Sequence, residues 1–185
     1  MSHHAGISAL PSNLLSLISE RDHRLMRRVH RWRPPRWFRV VMLGASRAGS
    51  GWLWGALALT LMLLGGPRRF AATAAGCLAS GTGLGIYVAL KKATGRKRPC
   101  LVEPHSWAHI PPPDQYSFPS GHTIAAFAIT AAVGLFYPGL FLVLLPGAVV
   151  IGISRIVLGM HFLSDVLAGA VMGSLLGYSA YFVMA

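Results

Sequence analysis

Residues 154–165 read Ser-Arg-Ile-Val-Leu-Gly-Met-His-Phe-Leu-Ser-Asp, within a C-terminal half that carries almost no charge. Arg155 and Asp165 are the only charged residues after Gln115. An ionised group at membrane depth is costly unless it is paired or faces water, so each needs a reason, and the first to consider is function. His161 and Asp165 are four residues apart; if one helix turn carries both, their side chains share a face. A carboxylate beside an imidazole fixes its tautomer and stabilises its cation, which suits a nucleophile or base. The same residues also read as a buried ion pair, Arg155 with Asp165, tying two helices together.

Two further clusters carry compatible chemistry. Lys91 is followed after six residues by Arg98-Pro99, and Pro119-Ser120-Gly121-His122 precedes an apolar run. Lys91, Arg98 and Arg155 supply three fixed cations, and guanidinium forks fit phosphate oxygens through paired hydrogen bonds. Ser120 and Gly121 stand where a helix should begin, so backbone N–H groups and the helix dipole can add to an anion site, with Pro119 favoured there. One imidazole could then attack phosphorus in line while the other protonates the departing oxygen. Taken singly, each cluster has an ordinary reading: an interfacial basic anchor, a turn, or an incidental histidine. Their joint occurrence is what points to a site.

The elements that must position these residues are apolar. Runs over 52–65, 70–90, 122–137, 140–157 and 162–185 predict five membrane spans. Pro138-Gly139 alone separates the third run from the fourth, which predicts a tight antiparallel hairpin. Gly169, Gly173 and Gly177, spaced by four, predict close helix approach. Counting spans puts Lys91, His122, Arg155 and His161 on one membrane face.

Residues 1–35 form a separate amphipathic segment, and 36–185 the membrane domain. From Leu14 to Trp32, Leu14, Leu15, Leu17, Ile18, Leu25, Met26 and Val29 alternate with arginines, the pattern of a basic helix on a membrane surface. Pro34-Pro35 ends it, and 37–48 predicts a second amphipathic helix too short to cross. The fold class is therefore all-α: a polytopic membrane bundle of five to six transmembrane helices plus an N-terminal interfacial helix.

Composition agrees. The 185 residues are 54% hydrophobic and 12% charged, with mean hydropathy +0.53, which excludes an ordinary soluble domain. The net charge of +12 is expected to meet anionic lipid head groups and phosphate, not nucleic acid. Cys77 and Cys100 have no metal or redox spacing and are expected to be free thiols. No cleavable signal peptide is expected, since the N-terminus lacks an apolar core.

The three clusters together resemble, residue for residue, the three-part signature of the type 2 phosphatidic acid phosphatases, the membrane branch of a superfamily that includes bacterial acid phosphatases and vanadium haloperoxidases. That resemblance implies a phosphohistidine on His161, oriented by Asp165, with His122 as general acid. It implies that Lys91, Arg98, Ser120, Gly121 and Arg155 bind phosphate, without metal or cofactor. The substrate would be a lipid phosphate or diphosphate within the membrane lipids. Members specialised for undecaprenyl pyrophosphate often carry Asp where this chain has Gly121, so the resemblance leans towards the broader lipid phosphatases.

The resemblance also implies an active site on the outer face of a bacterial cytoplasmic membrane. Against this, nine arginines precede Gly51, and with five spans they would share the catalytic face, which the positive-inside rule assigns to the cytoplasm. A segment 37–50 that tilts across the membrane would reconcile the two. The same residues would serve a lipid phosphotransferase or, less aptly in a membrane, halide oxidation. A non-catalytic lipid-binding protein is the alternative of a different class. Head-group choice should lie in residues 101–118, where His105, Trp107, His109 and Asp114 are candidates to touch substrate.

Overall fold

The computed structural model describes residues 9–103 and 105–185, with side chains from residue 16 onward. Leu14 and Leu15, part of the expected amphipathic face, therefore lie outside the described side chains. Eight α-helices follow in order: α1 (Ala9–Arg31), α2 (Arg36–Ala48), α3 (Trp52–Leu64), α4 (Arg69–Thr94), the short α5 (Pro99–Val102), α6 (Gly121–Phe136), α7 (Pro138–Val157) and α8 (Leu163–Met184). One 3-10 turn, Gly66–Arg68, leads into α4.

Helix α6 is the hub, packed against α4, α7 and α8. Small residues make this possible, because they let helix backbones approach closely where lipid gives no hydrophobic drive to associate. Ala128 and Ala132 of α6 meet Ala72, Ala75 and Ala79 of α4 and Ala180 of α8 in one buried cluster. The glycine stripe of α8 lies directly on α6. A methyl group at Gly173 would come within 2.4 Å of the Ile124 carbonyl, and one at Gly177 within 2.3 Å of the Ala128 carbonyl. Outward-facing Leu142 and Val143 on α7, and Leu167, Val171 and Leu175 on α8, are exposed and apolar, the surface that lipid covers. The expected hairpin is present: α6 ends at Phe136 and α7 starts at Pro138.

Three of these helices are long and apolar enough to cross a membrane, namely the 66–94 segment containing α4, and α7 and α8. Helices α3 and α6 are apolar but shorter, at 13 and 16 residues, so five runs do not give five full-length spans.

The N-terminal helices differ from the expectation in what they touch. On α1 the buried stripe is Asp22, Met26 and His30, spaced by four and turned to the bundle, while Leu17 and Ile18 stay exposed. Helix α2 packs along α7. Arg39, near its start, lies over the Trp107 ring, and Ser46, near its end, bonds Arg155. Through these contacts both ends of α2 lie beside the residues that carry the motifs.

Candidate active site

Two strands of loop hold the motifs in register. Gly95 ends α4 in the left-handed conformation, φ +59°, which glycine adopts without strain. The chain then runs antiparallel to the segment before α6. Lys97 bridges Tyr116, Arg98 N donates to the Gln115 carbonyl at 3.1 Å, and Ser117 N donates to the Arg96 carbonyl at 2.7 Å. The motif carrying Arg98 and the one carrying Ser120 are thus fixed to each other by backbone bonds.

His161 sits where these strands meet the start of α8. It precedes that helix by two residues, with Phe162 extended at the N-cap, and does not lie in its first turn as its spacing from Asp165 suggests. The tautomer-setting partner differs too. His161 Nδ1 donates to the Ser117 carbonyl at 2.6 Å, whereas the Asp165 carboxylate is 3.8 Å away, beyond a hydrogen bond. A donating Nδ1 leaves the lone pair on Nε2, and Nε2 accepts from Arg98 Nη1 at 3.2 Å. The ring is only 2% exposed. Burial is the main influence that brings it down to about 4, with Asp165 opposing and Arg155 and Arg98 reinforcing, so it is neutral at pH 7 and can act as a nucleophile.

Asp165 caps α8 and pairs with a residue between Lys91 and Arg98 that the motif does not single out. Its Oδ2 accepts from Phe162 N at 2.8 Å, and its Oδ1 accepts from Arg96 Nη1 at 2.6 Å. Arg96 also donates to Ser164 Oγ at 2.7 Å and to Asp22 Oδ2 of α1 at 2.7 Å. The Arg155–Asp165 pair that a purely structural reading requires is not formed.

The three cations converge. Arg98, 1% exposed, donates from Nε to the Asp114 carbonyl at 2.7 Å, from Nη1 to the Met160 carbonyl at 3.0 Å and from Nη2 to the Asp114 carboxylate at 3.2 Å. Lys91 donates to Asp114 and to the Tyr87 hydroxyl. Arg155, buried at the end of α7, donates to Ser46 Oγ. It makes no ion pair among the described residues, and its Nε has no partner there. A buried guanidinium without a counter-charge is costly by itself and marks a place for an anion.

His122 opens α6. Its Nε2 lies 3.2 Å from Ser50 Oγ beyond the end of α2, within electrostatic range of Arg155, His161, Arg98 and Lys91. Ser120 is placed differently from the expected anion donor: its own N–H donates to the Asp165 carbonyl at 3.2 Å and its hydroxyl pairs with Thr123 at 2.8 Å. Gly121 faces the Tyr87 ring, where a methyl group would stand 3.0 Å from a ring carbon. Of the loop candidates, Asp114 reaches the cations. His105 instead anchors the loop, its Nε2 bonding the Val157 carbonyl at 3.0 Å, and Trp107 stacks under Arg39.

Ser46, Ser50, Asp22, Arg96 and Ser117 escape a reading by motif. Nothing in a run of Arg96-Lys97-Arg98 separates Arg96 from an interfacial anchor. Ser117 acts through its carbonyl, which carries no side-chain signal. Asp22 shares its helix with another acidic residue, Glu20, so its charge did not single it out.

Known proteins resemble this chain in sequence and fold. A family model described as the PAP2 superfamily matches residues 70–185, which contain all three motifs. Lipid A 1-phosphatase of Rhizobium johnstonii is 34% identical over 89 residues, covering 46% of this chain. The chain spans only 36% of that relative's length. Decaprenylphosphoryl-5-phosphoribose phosphatase of Mycobacterium tuberculosis is 34% identical over 141 residues, 72% of this chain and 73% of the relative. Among solved structures, Aquifex aeolicus LpxE superposes with a TM-score of 0.70 at 27% identity, covering 85% of this chain and 92% of its own. The transmembrane PAP2 type phosphatidylglycerolphosphate phosphatase of Bacillus subtilis also gives 0.70, at 24% identity and 90% and 86% coverage, a likeness of fold.

Proposed function

Because the chain belongs to the PAP2 superfamily, we propose that this integral membrane protein is a metal-independent lipid phosphatase that hydrolyses a phosphomonoester or diphosphate through a phosphohistidine. The observation that carries the reading is the commitment of His161 Nδ1 to the Ser117 carbonyl, which aims the Nε2 lone pair at the Arg98 guanidinium. A phosphoryl group held by Arg98, Lys91 and Arg155, at the α6 end formed by Ser120 and Gly121, would stand in front of that lone pair.

Nε2 attacks phosphorus, and the P–O bond to the lipid breaks in line. The three cations neutralise the equatorial oxygens as the transition state spreads charge over them. His122 gives its proton to the departing oxygen and then takes one from the water that hydrolyses the phosphohistidine. Asp165 positions His161 indirectly: it accepts the Phe162 N–H and so fixes the backbone beside the nucleophile.

The lipid itself has a route. A groove of about 550 Å³ runs between α3, α4 and α6, lined by Trp54, Gly81, Leu84, Tyr87, Ala125 and, at the polar end, His122. An acyl or prenyl tail in this groove would place its phosphate beside the general acid. The names of the relatives support a lipid phosphate as the substrate class.

The test is phosphate release from a panel of lipid phosphates in detergent. His161→Ala should reduce it to background. His122→Ala should be severe for alkyl esters and milder for an aryl ester, whose leaving group needs less acid assistance. Vanadate should inhibit as a mimic of the pentacoordinate state, and chelators should have no effect. Full turnover by the His161 variant would refute the nucleophile.

A further inference from the structure

The three site cations are not equally engaged. Arg155 bonds a neutral hydroxyl, whereas Lys91 and Arg98 share one carboxylate, that of Asp114, which belongs to none of the three motifs. Two carboxylate oxygens between an ammonium and a guanidinium reproduce part of what a phosphoryl group would offer. The same guanidinium faces the His161 lone pair through Nη1, so the carboxylate and the nucleophile flank one side chain.

Depth separates the partners. The side chain of Asp114 is 35% exposed, while those of Lys91 and Arg98 behind it are 8% and 1% exposed. The main chain at this point is pinned separately, by Arg98 Nε to the Asp114 carbonyl and Arg98 N to the Gln115 carbonyl. The carboxylate can therefore rotate towards water without moving the loop. It is charged at neutral pH: burial alone would raise its pKa, but bonding from Lys91 and the Tyr116 amide and the Arg98 charge hold it below the usual range.

We propose that Asp114 is a specificity-determining residue, an internal carboxylate that competes with ligand for Lys91 and Arg98 and yields to a dianionic phosphomonoester but not to a monoanionic phosphodiester. This deepens the proposed function and rests on its phosphoryl-binding site. A membrane presents the site with a large excess of phosphodiester head groups, each with one negative charge. Such a head group would exchange one monoanion for another at the two cations and gain little. A phosphomonoester brings a second charge and a third terminal oxygen for Arg155. The aspartate thus keeps bulk lipid out of the cup.

The experiment compares wild type with Asp114→Asn, which keeps an acceptor for the Tyr116 N–H that Asp114 Oδ1 bonds at 2.9 Å, and with Asp114→Ser as a second isolate. Protection against thermal unfolding in detergent is titrated with inorganic phosphate, vanadate and short-chain phosphatidylglycerol, none of which requires turnover. Both variants should bind phosphatidylglycerol about tenfold or more tightly than wild type, with a smaller gain for phosphate, so that the preference for phosphate narrows. Unchanged or weaker binding of both ligands by folded variants would overturn the inference alone, because Asp114 would then merely pre-orient the cations. Absence of phosphate and vanadate binding in all three proteins would overturn it together with the site on which it rests.

Discussion

At the scale of single residues, His161 has the sharpest consequences. The unfolded chain binds its proton near the ordinary value of 6.5, and the folded chain only near 4. Between those values the unfolded state holds the extra proton, so stability rises with pH there. The contribution is complete above 6.5 and is lost as pH falls to 4. Subtracting the unfolding temperature of His161→Asn, which does not titrate, from that of wild type should therefore give a constant above pH 7 that drops by several degrees towards pH 4. A difference that stays flat across this window would mean that the folded imidazole titrates normally. The proposed nucleophile itself was legible in the amino-acid order, because a histidine and an aspartate in an apolar stretch admit few readings. Its orienting partner was not, since a backbone carbonyl forty-four positions away leaves no trace in residue type.

Among the elements, the junction of α1 with α8 is held by charge. Arg96 stands between Asp22 and Asp165 and lies over the Phe162 ring. Removing its charge leaves two largely buried carboxylates facing each other, and the backbone before α8 loses its clamp. Arg96→Gln should lower kcat by roughly ten- to a hundredfold with little change in KM, the mark of a residue that positions others. A rise in KM at constant kcat would show that it binds substrate instead. Packing between α6 and α8 yields a second expectation. Gly173→Val drives a side chain against the Ile124 carbonyl and should cost about 1–3 kcal/mol, read as a lower unfolding temperature in detergent. Gly81→Ala on α4, with open space around it, should be neutral. The glycine spacing foretold this contact. The apolar stretches 52–64 and 121–136 were legible as helices from composition, while the structure fixes their lengths at 13 and 16 residues.

For the whole molecule, the N-terminal arginines bear on which side of the membrane carries the site. Asp22, Arg39, Ser46 and Ser50 all touch the face that carries the candidate site, so the arginines of α1 and α2 gather there. We propose the outer face. On that reading a reporter active only outside should work at residue 2, and one active only in the cytoplasm should work at residue 185. The reverse pattern would place the catalytic face in the cytoplasm, as the positive-inside rule has it. Charge counting could not resolve this, because cations that recruit anionic lipid and cations that set topology are the same residue types.

The stunted α3 carries a consequence for the membrane itself. Its 13 residues rise only about 20 Å, against a hydrocarbon core of about 30 Å, and Leu59, Leu63 and Leu64 face outward. Unlike α6, which neighbours shield, an α3 that crosses would draw the bilayer in to meet it, pinching the leaflets on the flank where the groove opens. The proposed turnover should then climb as the host acyl chains shorten, and the protein should gather wherever the membrane is already thin.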